Sequence, residues 1–104
     1  MEHLNKIELR GTVGSVYVKD FGNSKVTNFS IATNYGYTSQ DGTPVIETTW
    51  HRVVAWNCPE ISKGSKVHVI GRLRANRYTD ANGNQKFVYE VLANGVKVIG
   101  YENV

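Results

Sequence analysis

Two tryptophans flank an arginine in the run Thr49-Trp50-His51-Arg52-Val53-Val54-Ala55-Trp56. In an extended strand every second side chain shares a face. Trp50, Arg52, Val54 and Trp56 then fall on one side, and His51, Val53 and Ala55 on the other. The smaller set is the better core face, which leaves the two tryptophans and the arginine outside. A second run, Lys66–Tyr78, behaves alike. Val67, Val69, Gly71, Leu73 and Ala75 make a small apolar face, and His68, Ile70, Arg72, Arg74, Asn76 and Tyr78 make the opposite one. Flat rings interleaved with guanidinium groups suit a nucleic-acid strand, because bases stack on the rings and phosphates meet the cations. Two other readings stand beside this one. The tryptophans can face the core while Arg52 snorkels past them, and a bulge can shift strand parity.

The charge distribution points the same way. The chain of 104 residues carries a formal net charge of +3, yet residues 50–78 alone carry +5, from Arg52, Lys63, Lys66, Arg72, Arg74 and Arg77 against Glu60. The segments on either side sum to −1 each. A polyanion would meet a local patch, although an ordinary solvated surface also accounts for charge of this size. Enzymatic chemistry finds little support. His3, His51 and His68 show no metal-ligand spacing with Cys58 or with one another. No glycine-rich phosphate loop follows a strand and opens a helix, and the nine carboxylates form no close pair. The chain is therefore expected to be a binding protein without cofactor or metal. The N-terminus lacks an apolar signal region, and the longest apolar run is Val53–Trp56, too short to span a membrane. A single cysteine forms no internal disulfide. A soluble, cytoplasmic protein is the expectation.

Elements must now position these residues. No segment looks helical beyond two turns. Short alternating runs rich in β-branched and aromatic residues predict five strands near residues 4–18, 25–35, 45–56, 66–79 and 86–99. Between them stand Phe21-Gly22-Asn23-Ser24, Ser39–Pro44, Asn57–Ser65 and Asp80–Asn84. Gly42 and Gly83 supply the positive φ of tight turns, while Gly11 and Gly14 inside the first strand predict bends or bulges. Five long strands with no helical layer cover their edges most simply by closing. The expected fold is thus an all-β, five-stranded antiparallel OB-fold barrel in one domain spanning 1–104. Its strand 3–4 helix is shortened or absent, since that gap is nine residues long and contains Pro59.

At this point the sequence resembles a known family. Asn28-Phe29-Ser30-Ile31-Ala32-Thr33-Asn34, the Thr49–Trp56 run and the block Lys63-Gly64-Ser65-Lys66-Val67-His68-Val69-Ile70-Gly71-Arg72-Leu73-Arg74 are similar to the bacterial single-stranded DNA-binding proteins. The opening Asn5–Gly11 and the turn Asp80–Gly83 fit as well. The resemblance implies a sequence-tolerant binder of single-stranded DNA in replication, recombination or repair. It places base-stacking rings at Tyr37, Trp50, Trp56 and Tyr78, and phosphate contacts at Arg52, Lys63, Arg74 and Arg77. Tyr37 and Tyr78 stand where Trp is common in the family, and Trp56 where Phe is common. Arg10 and Arg72 are further basic residues of outward parity. Asn57 and Cys58 occupy the stretch where the family carries a lysine. The resemblance also implies a homo-oligomer, with a tetramer expected, meeting through Asn5–Arg10 and His51. The sequence ends at Val104, with Glu102 the one carboxylate among its last five residues. Recruitment of protein partners through an acidic tail is therefore not expected. Two alternatives remain: a primosomal accessory protein acting as an assembly adaptor, which has no need of four rings along a strand path, and an OB domain for an oligosaccharide or a protein.

Overall fold

A computed structural model describes residues 1–101. It contains five strands: β1 (Ile7–Asp20), β2 (Lys25–Thr38), β3 (Pro44–Trp56), β4 (Ser65–Thr79) and β5 (Gln85–Tyr101). They close into a barrel in the order β1-β2-β3-β5-β4, with β4 returning to β1. No helix occurs among the described residues, and Asn57–Gly64 crosses from β3 to β4 as irregular chain.

The expected all-antiparallel pairing is corrected at one seam. β3 and β5 run parallel where Val53 meets Val91 and Val54 meets Leu92. Strand number alone requires this: directions cannot alternate around a closed ring of five, so at least one neighbouring pair must be parallel. The other pairings are antiparallel.

β1 begins at Ile7 rather than at residue 4, because the Asn5 side chain continues the ladder instead of its backbone. Its Nδ2 donates to the Leu73 carbonyl at 2.7 Å, and its Oδ1 accepts from the Leu73 N–H at 3.0 Å. At the other end β5 continues to Tyr101, so Gly100 and Tyr101 belong to the strand and do not hang free. The remaining terminal residues, 102–104, on which the expectation about a tail depends, lie outside the described residues.

The core is small: Leu9, Val13, Phe29, Ile31, Val53, Ala55, Ile61, Val67, Val69 and Val91. It supports only part of each long strand. The radius of gyration is 16.2 Å, against about 13 Å for a compact chain of this length, because two hairpins stand out as arms. One is the end of β2 with the start of β3, and the other the end of β4 with the start of β5. Since β3 and β5 are parallel at their junction, both arms leave the same end of the barrel. Leu73 and Ala75, expected in the core, lie on the second arm beyond the last core layer and are exposed.

The two arm loops are built alike. Ser39 N–H bonds Thr43 O and Gly42 N–H bonds Ser39 O. In the second loop Asp80 N–H bonds Asn84 O and Gly83 N–H bonds Asp80 O. Gly42 and Gly83 take φ of 87° and 82°, as five-residue loops built around a turn require. Asp41, which accepts bonds from Ser39 and Thr43, has its carboxyl pulled down to about 2 by them. Between β1 and β2, Gly22 takes a φ of 89° at the first central position of the turn, the pattern of a two-residue II′ hairpin.

Candidate nucleic-acid interface

The pairing of β2 with β3 is unbroken from Val26↔Trp56 to Thr38↔Pro44. Side chains directly opposite share a face, so the outer surface of this pair carries Val26 with Trp56, Asn28 with Val54, Ser30 with Arg52 and Ala32 with Trp50. Trp50 is 61% and Trp56 53% exposed, while Val53 and Ala55 between them are buried. The outward reading of the Thr49–Trp56 run is therefore the observed one. Val54 shares the outward parity yet is buried, because it lies in a row that crosses all five strands: Tyr17, Asn28, Val54, Leu92 and Arg72.

Between the tryptophans the surface dips into a hollow of about 350 Å³ lined by Tyr17, Asn28, Arg52 and Val54 among others. The two tryptophans are six residues apart on β3, roughly 20 Å along the strand. Trp50 rests on a gap left in β1. A Cβ on Gly14 would lie 2.4 Å from Trp50 Cζ3 and 2.9 Å from Ser30 Oγ. The register of β1 against β2 also shifts between Val13 and Val16, the bulge expected from Gly14. Lys63 joins Trp50, Gly14 and Asn34 around a second, smaller hollow of about 240 Å³. Among the described residues no carboxylate comes within ion-pair reach of Arg52, Lys63 or Arg72.

The other sequence-derived candidates divide. Arg72, Arg74 and Tyr78 lie on the outer face of β4, opposite Leu92, Glu90 and Lys86 of β5. Arg72 thus meets the outer surface at the end of the five-strand row, and Tyr78 extends it along the arm. Arg74 is not a free cation. Its Nη2 and Nε donate to Glu90 Oε1 at 2.7 and 3.2 Å, and the Glu90 side chain is only 7% exposed. Arg77 is on the reverse face of the arm, its guanidinium 5.2 Å over the Phe87 ring, within cation–π range. Tyr37 is likewise on the reverse face of its arm, since its parity is that of Phe29 and Ile31 in the core. There it stacks with Tyr35, centroids 6.2 Å apart. Arg10 faces out at the β1–β4 seam beside His68. Next to it Glu8 Oε2 and His68 Nε2 meet at 2.6 Å, and this bond and the charge of His68 lower the Glu8 carboxyl below its usual value.

His51 points to the core side, its Nε2 2.8 Å from Thr33 Oγ1, and burial lowers its pKa. Among the described residues no cluster of His, Cys, Asp and Glu fits a metal ion. Sequence reasoning missed Glu90, Phe21 and Lys19. Glu90 was detectable as a lone carboxylate in the apolar stretch Val88–Leu92, and Phe21 as a large ring in a turn. Nothing in the sequence singled out Lys19.

The fold and surface define a class: a five-stranded OB barrel with an outward ring–arginine face. Comparison with known proteins supplies the family. The model of the single-strand binding protein family matches residues 4–99. The chain is 35% identical to single-stranded DNA-binding protein 1 of Xylella fastidiosa, over 96% of this chain and 80% of that protein. It is 30% identical to single-stranded DNA-binding protein 1 of Chlorobaculum tepidum, over 93% of this chain and 65% of that protein. The chain thus spans from about two thirds to four fifths of the length of these relatives. Among solved structures, that of Plasmodium falciparum SSB in complex with ssDNA superposes with a TM-score of 0.80 at 29% identity, covering 98% of both chains. The chain belongs to the single-strand binding protein family.

Proposed function

We propose that this chain binds single-stranded DNA, largely without regard to sequence and without chemistry, as one OB-fold domain serving replication, recombination or repair. The observation that carries the reading is the exposed Trp50–Arg52–Trp56 series on β3, two rings on the outward face of one strand with Arg52 between them lining a hollow and, among the described residues, in no ion pair. Rings accept any base because every base has a π-face, and the cation meets the phosphate that all nucleotides share. Arg72 and Tyr78 extend the same outer surface and Lys63 flanks Trp50. Tyr37, Arg77 and Arg10 engage a strand that wraps past the arms or onto the β1–β4 seam. Membership of a single-strand binding family and likeness to an ssDNA complex support the reading.

The working form is a homo-oligomer, a tetramer by family expectation, acting in the cytoplasm on the nucleoid. Support comes from a small core and an unused strand edge. β1 pairs with β2 only from Thr12 onward, so the second edge of Ile7–Gly11 is open, and open edges favour pairing. Sedimentation as a monomer at micromolar concentration would overturn this part.

Tryptophan fluorescence titrated with a homopolymeric oligonucleotide at two salt concentrations tests the function. Quenching with tight single-strand binding is expected, weakening on added salt with a log–log slope of about −0.7 per phosphate contact. Binding that ignores salt or prefers duplex DNA would refute it.

A further inference from the structure

The β1–β2 turn carries a ring that the fold does not use. Phe21 is 55% exposed and is not part of the core. It stands against Trp56 with centroids 5.7 Å apart and planes inclined by 27°. On the same ring, Lys19 Nζ lies 5.3 Å from the centroid. Lys19 has no carboxylate within ion-pair reach among the described residues. The neighbouring acid, Asp20, is engaged within the turn, accepting the Gly22 N–H at 2.8 Å.

The cluster is held in place. Asn57, at a φ of 51°, ties the end of β3 to the start of β2. Its N–H donates to Lys25 O at 2.8 Å, and its Oδ1 accepts the Lys25 N–H at 2.9 Å. This two-bond clamp fixes the turn beside Trp56. The clamp preorganises the two rings, so little ordering is left for ligand binding to supply.

We infer that Phe21 and Lys19 continue the DNA path past Trp56 across the β1–β2 turn, Phe21 as a further stacking ring and Lys19 as its phosphate contact. The inference rests on the proposed single-strand binding. A base inserted between the two rings would need them about 7 Å apart, twice the stacking rise of 3.4 Å. At 5.7 Å they are already in contact, so they act as one enlarged platform and the base lies on its open face. Lys19 Nζ, 5.3 Å from the Phe21 centroid, is close enough to meet the phosphate of a nucleotide stacked on that platform.

The test measures affinity of the full chain for an oligothymidine long enough to cross both platforms, with Trp50→Ala as the reference. Phe21→Ala and Phe21→Leu should each weaken binding about 5- to 150-fold, the worth of one stacked base, without change in melting temperature for the leucine variant. Lys19→Gln should reduce the magnitude of the log–log salt slope by about 0.7. If Phe21→Leu binds like the parent, the ring serves only as packing and the inference is overturned. If both Phe21 variants and Lys19→Gln match the parent while Trp50→Ala is weakened, the inference fails and the functional reading survives. A parent chain that does not bind the oligonucleotide overturns both.

Discussion

The outer face of β3 and the β4–β5 arm look like two copies of one device in the sequence, and they are different in space. Each alternates arginine with aromatic residues. On β3 the rings and Arg52 lie on the outward face, and among the described residues no carboxylate comes within ion-pair reach of the guanidinium. On the arm, Arg74 is bound to the buried Glu90 and Arg77 covers Phe87, while Tyr78 stands on the other face from Arg77. A cation meets a phosphate most readily when no buried carboxylate already neutralises it. That is a property of the cross-strand partner, and the residue's own strand does not disclose it. Arginine count alone therefore does not distinguish a paired cation from a free one.

The sharpest way to break the comparison is at the rings. Trp50→Ala and Trp56→Ala should each cost about 1–3 kcal/mol of single-strand affinity and leave the fold intact, because both are more than half exposed. Loss of folding in either variant would show that the ring belongs to the core. Gly14→Ala should approach the Trp50→Ala effect although it removes no ring, since the new methyl would displace the indole from its seat. Near-parent affinity of Gly14→Ala would show that Trp50 needs no such seat.

The arginines should separate by the quantity they change. Arg52→Ala should lower affinity and flatten the log–log salt slope by about 0.7, with little change in melting temperature. Arg74→Ala should do the reverse. It leaves Glu90 buried without its partner, a loss of about 1–3 kcal/mol in stability, and moves the salt slope less than Arg52→Ala does. Equal salt-slope changes would show that DNA takes Arg74 from Glu90, and the two regions would then be equivalent after all.

The smallest expected effect is on pH dependence. Burial holds the His51 pKa below its ordinary value, so near that value the folded chain binds fewer protons than the unfolded one. Stability should then rise with pH through this window and fall on acidification below the unfolded value of about 6.5. Glu8 acts in the same direction at lower pH. Its depressed carboxyl stabilises the fold above the unfolded carboxylate pKa, and that contribution is lost as pH falls through the folded value. His51→Gln should flatten the melting-temperature profile near pH 6 while leaving single-strand affinity unchanged, since the ring faces the core side. An unchanged profile would place the acid sensitivity elsewhere.

Much of this was legible in the residues. The alternation in Thr49–Trp56 favoured an outward Trp50, Arg52 and Trp56, because Val53 and Ala55 are the right size for a tight core, and the unbroken β2–β3 register removed the alternatives. The turn glycines and the strand windows were equally readable, as local chemistry dictates them. The need for one parallel pair was implicit in the strand number once closure was accepted, although its place between β3 and β5 was not. Tertiary structure decided the rest. Alternation assigns a side chain to a face but does not say how far the core beneath it extends, so Leu73 and Ala75 were expected inside and lie on an arm. Nor does it name the residue opposite. That Glu90 meets Arg74, that Phe87 lies under Arg77, and that Phe21 comes against Trp56 are facts of register and closure between strands distant in sequence. Hydrogen-bond ladders set that register for the whole barrel at once, and no single strand contains it.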